Sequence, residues 1–560
     1  GTAGSAPAAD REPQLLAPAW RSAPLPAGGS IPEGPVWIVA DPGPAADAVT
    51  ARLAAECREV TAVRPGTDYR ALLDGSPAPG SVAHLAGLTA DAFDDLCALA
   101  AALGDAGAVT DLLVVTENAR AVRPGDRVLP ERAAVFGPAL VAPQEYDTLA
   151  VRTLDFSRLG PAALADAVAV ELAADVPEHV VALRDGARLT QEFAPAAEAH
   201  EGGSPGAAAI ELSSGDVCLI TGGLGPVGLL LAGHLGARGA TVVLAGRSGL
   251  PDRSAWPDLL ADPRTDAALR ARIEGVGALR ERGVRVETVA LDVTDAEALT
   301  AALAGIRDRH GRFDGVFHLA AVTDPRMFSG LADLGPEQRD AHRAAKADGA
   351  RALDVALAAV PARFCVLFSS MSATLGGLTF ASYAAANSVL DAWAAAPHEG
   401  TARWLSIDWD TWAPTAAAVG GQALGASLAQ YSLGAEAALG ALDAVLARPL
   451  PRTLVCAGDL PARLAQWVDR RRPTPAAPAG TTRFPRPELA QPYVPPKGDR
   501  ERRLAELWGE LLGLQRVGAR DNFSDLGGTS LLALQLVKRV RAVFGVAISP
   551  VTLFEAPTVH

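Results

Sequence analysis

Charge, aromatic side chains and cysteine are all scarce in this chain of 560 residues: 20% of its residues are charged, 5% are aromatic and five are cysteines. Cys57, Cys97, Cys218, Cys365 and Cys456 lie far apart and form no metal-ligand spacing. Several sit in apolar runs, where a small buried thiol is the expected role, so a disulfide framework is excluded and a reducing cytoplasm is expected. No stretch is long and apolar enough to span a bilayer. There is no basic patch interleaved with aromatics, and a net charge of −14 argues against a nucleic-acid partner. The chain opens Gly1-Thr2-Ala3-Gly4-Ser5, with neither an initiator Met nor a secretory pattern, so it reads as a piece of something longer. What is present is apolar: 49% of residues are hydrophobic, enough for sizeable cores in roughly three or four domains.

Composition divides the chain. Residues 1–35 are rich in Ala, Pro and Gly and read as a linker. Residues 36–209 alternate short β-branched runs, such as Val36 to Ala40, Leu112 to Val115 and Val180 to Leu183, with helical stretches such as Ala45 to Cys57. That alternation predicts an α/β layer structure, and the Asp41-Pro-Gly-Pro44 turn lacks the glycine spacing a pyrophosphate requires. Residues 210–470 repeat the pattern, with strands expected at Val217–Ile220, Thr241–Ala245, Val284–Ala290, Gly315–Leu319, Phe364–Phe368 and Trp404–Asp408. The fold class is therefore two Rossmann-like, doubly wound parallel-sheet subdomains, one without a cofactor. Eight prolines between Pro473 and Pro496 predict an extended, semi-rigid link over residues 471–498. From residue 499 two apolar stripes, Leu504/Leu507/Trp508/Leu511/Leu512 and Leu531/Leu534/Val537/Val540/Val543/Phe544, predict a small helical bundle.

Chemistry concentrates in the second α/β region. Residues 219–228 read Leu-Ile-Thr-Gly-Gly-Leu-Gly-Pro-Val-Gly, an apolar strand running into a glycine-rich turn and then a helix. Such a turn is either a cradle for a dinucleotide pyrophosphate or a tight strand-to-helix connection with no ligand. The next strand delivers Arg247 and Ser248 where an acid would select a ribose 2′-hydroxyl; a cation there suits a 2′-phosphate, so the cofactor expected is NADPH. Tyr383 and Asn387 share a helix face, Ser370 closes a strand thirteen residues earlier, and Lys346 lies in a helical stretch upstream. A phenol exchanges protons poorly at neutral pH unless a cation lowers its pKa, and Lys346 is the candidate cation. Each also has a structural reading: Tyr383 as a core edge, Lys346 as a solvated charge, Ser370 as a strand end.

Together these stretches resemble the ketoreductase domain of modular polyketide synthases, a branch of the short-chain dehydrogenase/reductase superfamily. The matching segments are Thr221–Gly228, Gly246–Gly249, Leu291–Thr294, Phe317–Ala321, Phe368–Met371 and Tyr383–Asn387. An upstream lysine, with asparagine four residues after the tyrosine, is the signature of this branch. The resemblance implies Tyr383 as general acid, Ser370 as orienter of the substrate carbonyl, and Lys346 and Asn387 as support for the proton relay. It implies a cofactor held by Thr221, Gly222, Gly223, Leu224, Gly225, Val227 and Gly228. Arg247 and Ser248 would meet the 2′-phosphate, Asp292 and Val293 the adenine, and Ala320 and Ala321 would lie beside them. Where one stereochemical group carries Leu-Asp-Asp, this chain has Thr323-Asp324-Pro325; where the other carries Trp, it has Leu375. The retained Asp324 leans the expectation to the first group. Asp410 stands where glycine is usual.

Near the C-terminus, Asp525-Leu-Gly-Gly-Thr-Ser-Leu531 puts Ser530 just ahead of the second amphipathic stripe, where it reads either as a helix cap or as an exposed, modifiable hydroxyl. With Asn522–Asp525 and Leu553–Thr558 around it, the segment resembles acyl carrier proteins. That resemblance implies 4′-phosphopantetheine on Ser530, attached by a phosphopantetheinyl transferase, and a four-helix bundle whose last helix is cut short at His560. It also implies a β-ketoacyl thioester substrate, partner ketosynthase and acyltransferase domains, and a homodimeric megasynthase. The alternatives are a reductively inactive scaffold or epimerase-type domain, a pure binding module, and a standalone reductase.

Overall fold

The computed structural model describes residues 12–25, 29–57, 59–88, 92–199, 208–418, 431–469, 484–487, 489, 491–523, 525–526, 530–546 and 556–560. The first half contributes β1 (Gln14–Ser22), β2 (Val36–Val39), β3 (Val60–Val63), β4 (Ser81–His84), β5 (Thr110–Glu117), β6 (Leu149–Phe156), β7 (Val180–Arg184) and β8 (Ala187–Pro195). The second contributes β9 (Val217–Thr221), β10 (Thr241–Gly246), β11 (Arg285–Ala290), β12 (Gly315–His318), β13 (Phe364–Ser370), β14 (Arg403–Trp409) and β15 (Arg452–Cys456). The expected strands sit within a residue or two of these bounds. Buried strands such as Val-Cys-Leu-Ile-Thr in β9 read as continuous apolar runs because helices cover both faces of a parallel sheet.

The strand order is β11-β10-β9-β12-β13-β14-β15-β1-β8-β7-β6-β5-β4-β2-β3. Within the second half the order reverses between β9 and β12, the switch point at which doubly wound sheets open a ligand crevice. A strand lies where a linker was expected. Within residues 1–35, β1 pairs antiparallel with β15 on one side and β8 on the other, joining two sheets into one of 15 strands. Its apolar residues are diluted by Pro18 and Arg21, which hid the strand from the composition.

The two halves also pack helix on helix. The helix Phe136–Glu145 lies on the helix Ala381–Ala394 so closely that a Cβ on Gly137 would stand 2.2 Å from the Ala381 carbonyl oxygen. The C-terminal part forms its own core from the helices Gly498–Leu512 and Ser530–Phe544, centred on Trp508 and Phe523 with ring centroids 4.9 Å apart. The first stripe is buried as expected at Leu507 and Trp508. In the second, Val537 and Val540 are buried as expected and Phe544 packs against the core, joined by Ala533 and Leu536, while Val543 is exposed. The side chains of Leu531 and Leu534 lie outside the described residues, as do Gly527, Gly528, Thr529 and most of the proline-rich link.

Candidate active site

The glycine turn sits at the C-terminal end of β9, and the helix Pro226–Ala237 begins on Gly225 with Pro226 in its first turn. Gly222 has φ +66°, and a Cβ there would come within 2.9 Å of the Leu319 carbonyl oxygen. A Cβ on Gly228 would stand 2.5 Å from the Gly223 Cα. The turn thus needs glycine for backbone conformation and for close helix packing, while Gly222 and Gly225 keep their backbone accessible beside the helix N-terminus. Leu224 and Val227 flank the turn, buried and half-buried. Thr221 lies beneath it: His318 donates from Nε2 to the Lys346 carbonyl oxygen at 3.3 Å and accepts at Nδ1 from the Thr221 hydroxyl at 2.8 Å. Burial pushes the His318 pKa down to about 3, so the ring is neutral in this role.

Arg247 and Ser248 follow the end of β10, both exposed. Asp292 is exposed beside Arg247, which helps hold its carboxyl below the ordinary carboxylate range; hydrogen bonds from the Thr294 N–H and hydroxyl contribute more. Val293 is buried against Gly349. Ala320 and Ala321 follow the end of β12, half-buried and exposed. The turn, the helix N-terminus and the exposed cation together supply donors of the kind a dinucleotide phosphate requires, so these residues fit NADPH.

Four dispersed residues converge on one side of the crevice. Ser370 ends β13, Tyr383 lies in the first turn of the helix Ala381–Ala394, and Asn387 follows one turn on, its amide donating to the Tyr383 carbonyl oxygen at 2.8 Å. The Asn387 Oδ1 is buried without a hydrogen-bond partner among the described residues. Lys346 rides a single π-helical turn, Ala344–Asp348, between two α-helices, a kind of irregularity often found at functional sites. Its Nζ lies 5.7 Å from the Tyr383 ring centroid and donates to the Phe368 carbonyl oxygen at 2.7 Å. Burial drives Lys346 down to about 8, opposed by the Asp391 and Asp408 carboxylates.

The expected depression of the Tyr383 pKa is not found. Burial holds the phenol above its ordinary value, and the Ser370 and Asn387 side chains offset this only in part. Lys346 is spent on a backbone carbonyl rather than on the phenol. A phenol so placed stays protonated at neutral pH, which suits a proton donor.

Sequence reasoning missed the surroundings of this group. Phe328, His342 and Phe380 pack around Tyr383, with centroids 5.7, 5.5 and 5.6 Å from its ring. His342 donates from Nε2 to the Met327 carbonyl oxygen at 3.1 Å, and burial pushes its pKa down to about 4. The available signal was spacing: Phe380 is three residues before Tyr383, and His342 four before Lys346. Behind Lys346, Arg452 binds Asp408 at 2.6 Å and Asp391 at 3.2 Å, while the Ser406 hydroxyl donates to Asp391 at 2.6 Å. Asp410 forms a two-pronged buried pair with Arg463, at 2.6 and 2.8 Å, and also accepts from the Ala457 N–H. Asp324 is held by Arg326 at the edge of the site, which takes its carboxyl down to about 2.

Ser530 is the first residue of its helix, and its side chain lies outside the described residues. Among the described residues no cluster of His, Cys, Asp or Glu is arranged to hold a metal, and no helix is long and apolar enough to cross a membrane.

Comparison with known proteins accounts for both regions. Residues 217–414 match the family model described as KR domain, and residues 502–560 the one described as phosphopantetheine attachment site. The chain therefore carries a ketoreductase domain and a carrier domain of the kinds found in modular polyketide synthases. Polyketide synthase GfsA of Streptomyces halstedii is 32% identical over 499 residues, 82% of this chain and 6% of that protein. A phenolphthiocerol/phthiocerol polyketide synthase of Mycobacterium tuberculosis is 31% identical over 426 residues, 72% of this chain and 20% of that protein. The chain thus spans a fifth or less of the length of these relatives. Among solved structures, an A1-type ketoreductase is 27% identical with a TM-score of 0.65, covering 82% of this chain and 96% of its own. The first ketoreductase of the tylosin polyketide synthase is 27% identical with a TM-score of 0.64, covering 81% and 95%.

Proposed function

We propose that this chain reduces a carrier-bound β-ketoacyl thioester to the β-hydroxyacyl thioester, with NADPH as reductant. The observation that carries the reading is the convergence of Tyr383, Ser370, Asn387 and Lys346 beside the glycine turn, in a domain that matches the ketoreductase model. When bound, NADPH supplies hydride to the carbonyl carbon. The Gly222–Gly228 turn and the N-terminus of the following helix hold its pyrophosphate, and Arg247 and Ser248 hold the 2′-phosphate. The Ser370 hydroxyl orients the carbonyl oxygen, and the Tyr383 phenol donates its proton there as charge develops. Asn387 and Lys346 line the path by which the phenol regains its proton.

The carrier domain presents the substrate through 4′-phosphopantetheine on Ser530, after action of a phosphopantetheinyl transferase. The proline-rich tether of residues 471–498 gives the arm its reach. On this reading the functional units are residues 36–209, a structural subdomain; residues 210–470, the catalytic subdomain; and residues 499–560, the carrier. They work in the cytoplasm within a homodimeric synthase whose ketosynthase and acyltransferase domains supply the acyl chain.

With a β-ketoacyl thioester, Tyr383→Phe is expected to slow NADPH oxidation by about 10²–10⁴-fold while NADPH still binds. Wild-type protein that binds NADPH but oxidises none would overturn reduction and favour the scaffold reading. Intact-mass measurement after phosphopantetheinyl transferase treatment tests the carrier: an adduct is expected on the wild type and absent from Ser530→Ala.

A further inference from the structure

We infer that Gln144 and Glu145, at the end of a helix in the half without a glycine turn, are positioning residues for the reaction in the other half. They clamp the two loops that frame Tyr383; this rests on the reductase reading above. Glu145 is buried, and its carboxylate accepts from two backbone N–H groups of the catalytic half, Leu331 at 2.8 Å through Oε2 and Thr379 at 3.0 Å through Oε1. Leu331 lies three residues after Phe328, and Thr379 directly precedes Phe380. Those two phenylalanines meet each other at 5.1 Å and both pack on the Tyr383 ring. One carboxylate thus fixes both sides of the aromatic collar around the proton donor.

Gln144, also buried, closes the remaining side. Its amide donates to the carbonyl oxygens of Leu375 at 2.7 Å and Trp467 at 3.1 Å, and its Oε1 accepts from the Gly377 N–H at 2.8 Å. The loop so held is an unrelaxed one: Gly376, Gly377 and Thr379 have φ of +69°, +135° and +67°. A β-branched residue in the left-handed region persists only where its surroundings over-determine it. Charge-assisted bonds from backbone N–H groups to a buried carboxylate are suited to that role. The half with no nucleotide turn therefore shapes the substrate side of the site.

The test uses the full chain with Glu145→Gln, which places an amide donor against one of two backbone donors, and Gln144→Met, which keeps volume and removes the bonds. For a β-ketoacyl pantetheine thioester, kcat is expected to fall about 10- to 100-fold, the scale set by an ångström-sized misplacement, with mixed product configuration. NADPH affinity should stay within about 2-fold, because the clamp touches no part of the glycine turn. Amide hydrogen exchange should quicken at residues 329–333 and 376–380 and stay unchanged at 222–228. Unchanged kcat and product configuration would overturn the inference, as would losses of NADPH affinity and turnover in parallel. If Glu145→Gln fails to fold, the same measurements on Gln144→Met alone decide. A wild type that reduces nothing sinks the reductase reading instead.

Discussion

Lys346 is the first lysine of the chain, and the next is Lys497, so one ammonium serves the whole catalytic half. Burial takes its pKa to about 8, so its loss of charge falls within the range of a pH–rate profile. If the proton path needs the ammonium, kcat should decline as pH rises through about 8. Asp391→Asn should move that limb to lower pH, since the carboxylate is what holds the proton on; a pH–rate profile checks both. Stability should run the other way. With the folded pKa below the unfolded one, the unfolded chain binds more protons between about 8 and 10.5, so this group's contribution rises with pH there. Urea titrations of wild type and Lys346→Met across that window should diverge accordingly. The same side chain shows how far sequence reading reaches: its spacing from Tyr383 identified it, yet its hydrogen bond to Phe368 depends on strands no local pattern brings together.

Helices and strands were legible where a period dominated. β9, β10, β13 and β14 stand out as apolar runs between turns, whereas the helix expected from Leu229 opens three residues earlier, at Pro226, a residue suited to the first helical position. The carrier helix from Ser530 keeps its expected face at Val537, Val540 and Phe544 but turns Val543 outward, and Ala533 and Leu536 fill the core beside them. β1 was missed because an isolated segment with Pro and Arg gains its strand character only from two partners far along the chain. Gly137 carried no signal at all. Gly137→Ala is expected to destabilise the chain by about 1–3 kcal/mol, since the new Cβ meets backbone of the Tyr383 helix rather than a yielding side chain. Thermal unfolding checks this, with a shift of several degrees expected.

Across the molecule, the two sheets are one because β1 lies between β15 and β8. Removing residues 12–24 is expected to expose two unsatisfied edges and yield aggregating protein, read by size-exclusion chromatography. Buried pairs fasten the same region. The Asp410–Arg463 bond explains why an acid is tolerated at a position where the resemblance expects glycine: the guanidinium on the helix Leu460–Trp467 and the Ala457 N–H satisfy it. Arg463→Met alone should cost about 3–5 kcal/mol by stranding the carboxylate, whereas adding Asp410→Asn should recover part of the loss in denaturant melts.

The alternation of apolar runs, the glycine turn, the serine before the last helix and the lysine–serine–tyrosine–asparagine spacing could all be read along the chain, because each is local or tied to a repeat of two or 3.6 residues. The joining strand, the raised tyrosine pKa, the aromatic collar and the grip of Gln144 and Glu145 on the opposite half could not. They arise from burial and from contacts between separate segments, up to the 186 to 234 residues spanned by the Gln144 and Glu145 bonds, which no local pattern encodes.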